Sequence, residues 1–142
     1  MKKMIIATTL AFAATMAMAD VTVSAGRDVR GDVNVVTAAT TFKGVGLSAT
    51  HANDTYTRVG VGKNFNLTKV GPVQLSAGGA AVYQHTRIAG IDNGYGLTGN
   101  ITATLPVAKN LAAFATSQRF WGQERLKAFD GTSNVIGVAY KF

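Results

Sequence analysis

Asn134-Val135-Ile136-Gly137-Val138-Ala139-Tyr140-Lys141-Phe142 alternates with a period of two. Counting back from the end, Phe142, Tyr140, Val138 and Ile136 share one face, which is apolar and finishes in two aromatics. Lys141, Ala139, Gly137 and Val135 share the other, which is small and partly polar. Successive side chains of a strand point to opposite faces, so the stretch predicts a β-strand with one oily side. The sequence stops on the aromatic, with no polar segment after it to cover that side.

The first residues bear on compartment. Lys2 and Lys3 precede an uncharged run from Met4 to Ala19, and Ala17-Met18-Ala19 is a small-x-small site before Asp20. This pattern predicts a secretory signal peptide over residues 1–19, cleaved after Ala19, and one domain over residues 20–142. The uncharged run is rich in Ala and Thr and shorter than the roughly 20 apolar residues of a spanning helix. Export would permit disulfides, yet the chain has no Cys, so cross-links cannot hold the fold. The net charge of +7 includes the two leader lysines. There is no Cys–His cluster of zinc type, no phosphate-cradling loop and no run of basic residues, so neither a metal, a cofactor nor nucleic acid is expected as a partner.

From Asp20 onward the period of two persists and no useful helical pattern interrupts it. Val21, Val23 and Ala25 mark a first strand. Val33 to Phe42 is a second, whose facing is ambiguous because Val35 adjoins Val36. Reading Lys43-Gly44 as a two-residue hairpin turn pairs Phe42 with Val45, and places Val36, Ala38, Thr40 and Phe42 on the oily side. Further strands follow at Val45 to Thr50, Tyr56 to Phe65, Val73 to Gln84, Tyr95 to Leu105 and Leu111 to Trp121, the last Ala-rich and poorly phased. Turns are expected at Asn66 to Pro72 and Pro106 to Asn110, with loops at Arg27 to Asp32, His51 to Thr55, His85 to Gly94 and Gly122 to Gly131.

Eight strands joined by short connections predict an all-β, eight-stranded antiparallel up-and-down barrel. The oily faces are nearly free of charge, while the opposite faces carry Gly, Ser, Thr, Asn and Gln. That inverts a soluble barrel, whose large apolar residues point inward. Small polar residues suit a narrow lumen and apolar ones suit lipid, so the expected barrel is transmembrane. Phe42, Phe65, Tyr83, Tyr95, Phe120, Trp121, Tyr140 and Phe142 lie near strand ends, where interfacial aromatics belong.

On the terminal strand, on Gly60-Val61-Gly62-Lys63-Asn64-Phe65 and on Leu105-Pro106-Val107-Ala108-Lys109-Asn110-Leu111, the chain resembles the small eight-stranded outer-membrane barrels of the OmpA-transmembrane and OmpX type. The resemblance implies a monomer in the outer membrane of a Gram-negative bacterium. It also implies that the barrel-assembly machinery reads Tyr140 and Phe142 as an assembly signal. The loops are short for that family, and its adhesive roles reside in loops.

An even strand number puts both termini at one end, taken as periplasmic. The other end then gathers arginines with nearly as many carboxylates, and the periplasmic end gathers lysines. Arg27, Arg30, Arg87, Arg125 and Lys127 are the rim cations expected to meet lipid phosphates such as those of lipopolysaccharide, because guanidinium forks suit phosphate oxygens. The competing reading of the same residues is ordinary solvated loop. His51 and His85 lack the Ser two residues on that a lipid-A deacylase would offer, so no catalytic residue is expected. Arg58, Arg119 and Lys141 are read as inward cations. The expected role is non-enzymatic, structural or surface-interacting. A minimal porin-like channel for water, ions or very small solutes is the alternative, and a lipid-modifying enzyme a further one.

Overall fold

The computed structural model describes residues 20–142, so the signal-peptide reading of residues 1–19 lies outside the described residues. Eight strands follow in order: β1 (Val21–Asp28), β2 (Val33–Phe42), β3 (Val45–Ala52), β4 (Tyr56–Val70), β5 (Val73–Thr86), β6 (Gly94–Ala108), β7 (Leu111–Gly122) and β8 (Gly131–Lys141). Each pairs antiparallel with its neighbours in sequence, and β8 pairs with β1 to close the barrel. Closure leaves no sheet edge, which satisfies the backbone without help from solvent. The expected fold class stands.

The turn chemistry accounts for the hairpins. Lys43 and Gly44 have φ of 50° and 80°, the pair of positive values that a type I′ turn requires, and Phe42 pairs with Val45 as anticipated. Two expected turns begin later than the residues suggested. β4 runs on through Asn66 to Val70, and β6 runs through Pro106 to Ala108. In each, one residue drops out of register, Leu67 in β4 and Val107 in β6. A bulge takes up the break, and it lets Pro106 sit in a strand beside it without a backbone N–H. β5 likewise continues to Thr86, whose N–H is received by Asn93 Oδ1 at 2.9 Å.

Directly paired residues share a face, which fixes the inside and the outside. Val23, Ala38, Ala49, Val59, Tyr83 and Tyr95 follow one another across β1 to β6 on the outer face. The orientation anticipated for β2 is therefore the one found. β7 needs correction. Leu97 pairs with Trp121 and Thr98 with Phe120, so Trp121 and Arg119 point outward while Phe120 points into the lumen. A period of two cannot hold both Phe120 and Trp121 on the outer face, and Arg119, two residues before Trp121, is an outward cation.

The loop from Gly122 to Gly131 is not irregular: it contains a 3-10 helix, Glu124–Phe129. The helix packs at the mouth of the barrel, where Leu126 is fully buried with Phe120 and Val82. This apolar cluster occupies only the loop end of the lumen.

Candidate functional site

Three surfaces carry chemistry: the outer wall, the plugged mouth and the loop rim. The outer wall is predominantly apolar, with Val59, Val61, Leu97, Ile101, Ile136 and Val138 all exposed, though Ser117 and Arg119 of β7 also lie on it. Tyr83, Tyr95 and Trp121 ring its loop end, and Tyr83 meets Tyr95 edge-on at 5.1 Å. Phe42, Phe65, Tyr140 and Phe142 border the other end. Cations stand beside these rings: Lys43 Nζ is 5.4 Å from the Phe42 centroid, Lys63 Nζ 5.2 Å from Phe65, and the Arg119 guanidinium carbon 5.8 Å from Trp121. An aliphatic stem along the wall with its charge at the aromatic border is how such residues sit at an apolar–polar boundary.

The terminal strand is tied at both edges. The Phe142 N–H donates to Val21 O at 2.9 Å, and the Lys141 N–H to Asn110 O at 2.9 Å. Lys141 is paired with Asp20 at 2.9 Å. Tyr140 and Phe142 lie edge-on at 4.9 Å, and Phe142 is exposed.

Inside, the two halves of the lumen differ. Along the wall hydroxyls pair across strands: Thr37 and Thr50, the latter the β3 partner of Arg58, share a hydrogen bond at 2.9 Å, and Thr102 and Thr116 one at 2.8 Å. At the loop end the mouth is filled. Arg58 is 7% exposed and lies between two rings, its guanidinium carbon 4.1 Å from the Tyr56 centroid and 3.9 Å from that of Phe120. Its Nε donates to Gln84 Oε1 at 2.6 Å, and Gln84 Nε2 donates in turn to Thr86 Oγ1 at 3.2 Å. Gln84 is wholly buried. The 3-10 helix closes over this group. A side chain at Gly122 would put its Cβ 2.6 Å from Leu126 Cβ, so the glycine lets the helix seat. Asp130 Oδ1 receives the Gly122 N–H at 2.5 Å, and Phe129 packs edge-on against Tyr56 at 6.1 Å.

All five rim cations anticipated from sequence lie at this same end, but not as one patch. Arg27 is held by Asp32 in an ion pair. Arg30 reaches across to Thr132 O at 3.4 Å, joining the β1–β2 turn to β8. Arg125 and Lys127 are exposed on the 3-10 helix, and Arg87 is exposed after β5. His51 faces outward and shares a hydrogen bond of 3.0 Å with Thr57. Among the described residues no three His, Cys, Asp or Glu are placed to hold a metal.

Sequence reasoning placed Arg58 in the lumen but missed the group around it. The signal was present: Arg58, Val82, Gln84 and Phe120 are large residues in the lumen phase, all near the same end of their strands.

No family model matches the chain, and no curated protein does. Among solved structures, it is similar to a chain described under "De novo design of transmembrane beta-barrels", with 14% identity and a TM-score of 0.59. The match covers 87% of this chain and 94% of that one. At that identity the likeness carries the fold: a closed, eight-stranded antiparallel barrel of the kind built to span membranes.

Proposed function

We propose that this protein is a membrane-spanning barrel of the bacterial outer membrane with a non-enzymatic, structural or surface-interaction role. The observation that carries the reading is the outer wall: predominantly apolar, bordered by aromatics at both ends, around a lumen that carries hydroxyls and glycine. Lipid rather than water is the solvent that such a wall fits. The similarity to a designed transmembrane barrel agrees with it. Fractionation tests the proposal. The protein should remain with outer membranes through alkaline extraction, and should migrate faster in unheated than in boiled samples, as a closed barrel resisting detergent does. Release as a soluble periplasmic protein would overturn it.

The filled mouth favours a closed barrel over the minimal channel, because Arg58, Phe120 and Leu126 stand across the path at the loop end. The rim is proposed to contact lipid phosphates through Arg30, Arg87, Arg125 and Lys127. Arg27 contributes less, because Asp32 already engages it. Tyr140 and Phe142 are proposed as the assembly signal, on the resemblance and on their exposure at the border of the wall.

A further inference from the structure

A buried guanidinium is expensive to hold, because burial strips its hydration and only partners within the protein replace it. Arg58 is 7% exposed, yet among the described residues the ion pairs are Arg27–Asp32 and Lys141–Asp20, leaving it no carboxylate within 4.0 Å. Its one hydrogen bond among these residues uses Nε, to Gln84 Oε1. The rings of Tyr56 and Phe120 flank the guanidinium and cannot receive the N–H groups of Nη1 and Nη2, and since no side-chain nitrogen among the described residues is both buried and unpartnered, these donors open onto accessible space.

Arg58 and Phe120 form part of the wall of a cavity of about 440 Å³ at the loop end, between the 3-10 helix and the β1–β2 hairpin. Val33, Val35 and Phe129 supply apolar wall, and Thr132 and Ser133 lie along it. Two carboxylates also line this space, but each is occupied. Asp28 Oδ1 receives the N–H of Arg30 at 3.0 Å and of Asn134 at 3.1 Å, and Asp130 Oδ1 that of Gly122. The cavity thus offers a largely buried cation whose Nη donors are accessible, apolar walls, and two acids each held through one oxygen by backbone amides.

We propose that this cavity binds a small organic carboxylate with an apolar body, the carboxylate lying against the Nη edge of Arg58 and the body against Val33, Val35 and Phe129. A guanidinium fork matches the two oxygens of a carboxylate, and the volume is within the roughly 300–1,000 Å³ of small-molecule pockets. The apolar walls select an organic anion over a bare inorganic one. The site lies inside the barrel and does not depend on the membrane assignment.

The test uses the purified protein with benzoate, neutral benzamide of the same shape, and inorganic phosphate as probes, followed by NMR titration and isothermal calorimetry. Benzoate should bind saturably, shifting resonances of Arg58, Phe129 and Val35, and benzamide at least tenfold more weakly. Arg58→Gln should abolish the preference for benzoate. If that variant does not fold, Val33→Trp, which fills the cavity and leaves Arg58 in place, should remove benzoate binding. Equal binding of benzoate and benzamide, phosphate binding in preference to benzoate, unchanged binding in Val33→Trp, or shifts confined to surfaces away from the cavity would each overturn the proposal.

Discussion

Ile101 and Thr102 are adjacent on β6, and they should respond in opposite ways to the same substitution. Ile101 is 61% exposed and pairs with Ala77 on one side and Ser117 on the other, well inside the strand and away from both aromatic borders. Thr102 faces the lumen and shares its hydroxyl hydrogen bond with Thr116. If water surrounded the wall, Ile101→Arg would replace one exposed side chain with another and change stability by no more than about 0.5 kcal/mol. If lipid surrounds it, the same change puts a guanidinium near the midplane and should cost about 2–4 kcal/mol. Thr102→Arg gives up two neutral hydrogen bonds, one with Thr116 and one received from Asn100 Nδ2, about 1 kcal/mol each, and its charge reaches a polar lumen. The assay is reversible denaturant unfolding from phospholipid vesicles, with both variants measured beside the parent. A cost below about 0.5 kcal/mol at Ile101 would refute lipid as the solvent of the wall.

The other surfaces yield sharper tests of their own. Phe120→Ala removes a buried ring from the mouth and should cost about 3–5 kcal/mol in the same unfolding assay; paired with Leu126→Ala it should raise single-barrel bilayer conductance, and conductance equal to the parent's would show that these two residues do not close the path. Changing Arg87, Arg125 and Lys127 together to Gln should weaken binding to purified lipopolysaccharide and flatten its salt dependence, since exposed pairs are screened; an unchanged salt slope would return the rim to ordinary solvated loop. Replacing Tyr140 and Phe142 by Ala should leave refolding yield in detergent nearly intact while lowering outer-membrane accumulation in cells, and normal accumulation would remove the assembly role.

The strand pattern was legible because an apolar outer wall and a lumen rich in glycine and hydroxyls differ at every second residue. Leu97, Ile101, Ala103 and Leu105 against Gly96, Thr98, Asn100 and Thr102 leave β6 no second orientation. β7 was hard to read for the converse reason. Ala112, Ala113 and Ala115 suit either side, and Phe120-Trp121 places two aromatics side by side, so only the cross-strand partners Thr98 and Leu97 separate them. The extensions of β4 and β6 were hidden because a bulge shifts the phase by one residue, which looks in sequence like the end of the strand. The 3-10 helix was not legible at all. Its seat depends on Gly122 meeting Leu126 and on Asp130 reaching back to the Gly122 N–H, contacts between residues that show no alternation.

The two halves of the lumen follow from what each must satisfy. Along the wall, threonine hydroxyls on adjacent strands bond one another, as Thr37 does with Thr50 and Thr102 with Thr116, so these polar side chains meet their needs within the wall. At the loop end the connections are longer, and the β7–β8 connection folds inward, bringing Leu126 against Phe120 and Val82. That apolar lid excludes water from Gln84 and largely from Arg58, which makes the cation costly where the hydroxyls below it are not. Two aromatic faces and one amide oxygen offset part of that cost, and the donors of Nη1 and Nη2 remain accessible beside the cavity. The chemistry of the mouth is therefore set by a conflict: the residues that close the barrel also desolvate its buried cation. The proposed carboxylate would meet the accessible donors of Arg58 from the loop-end cavity.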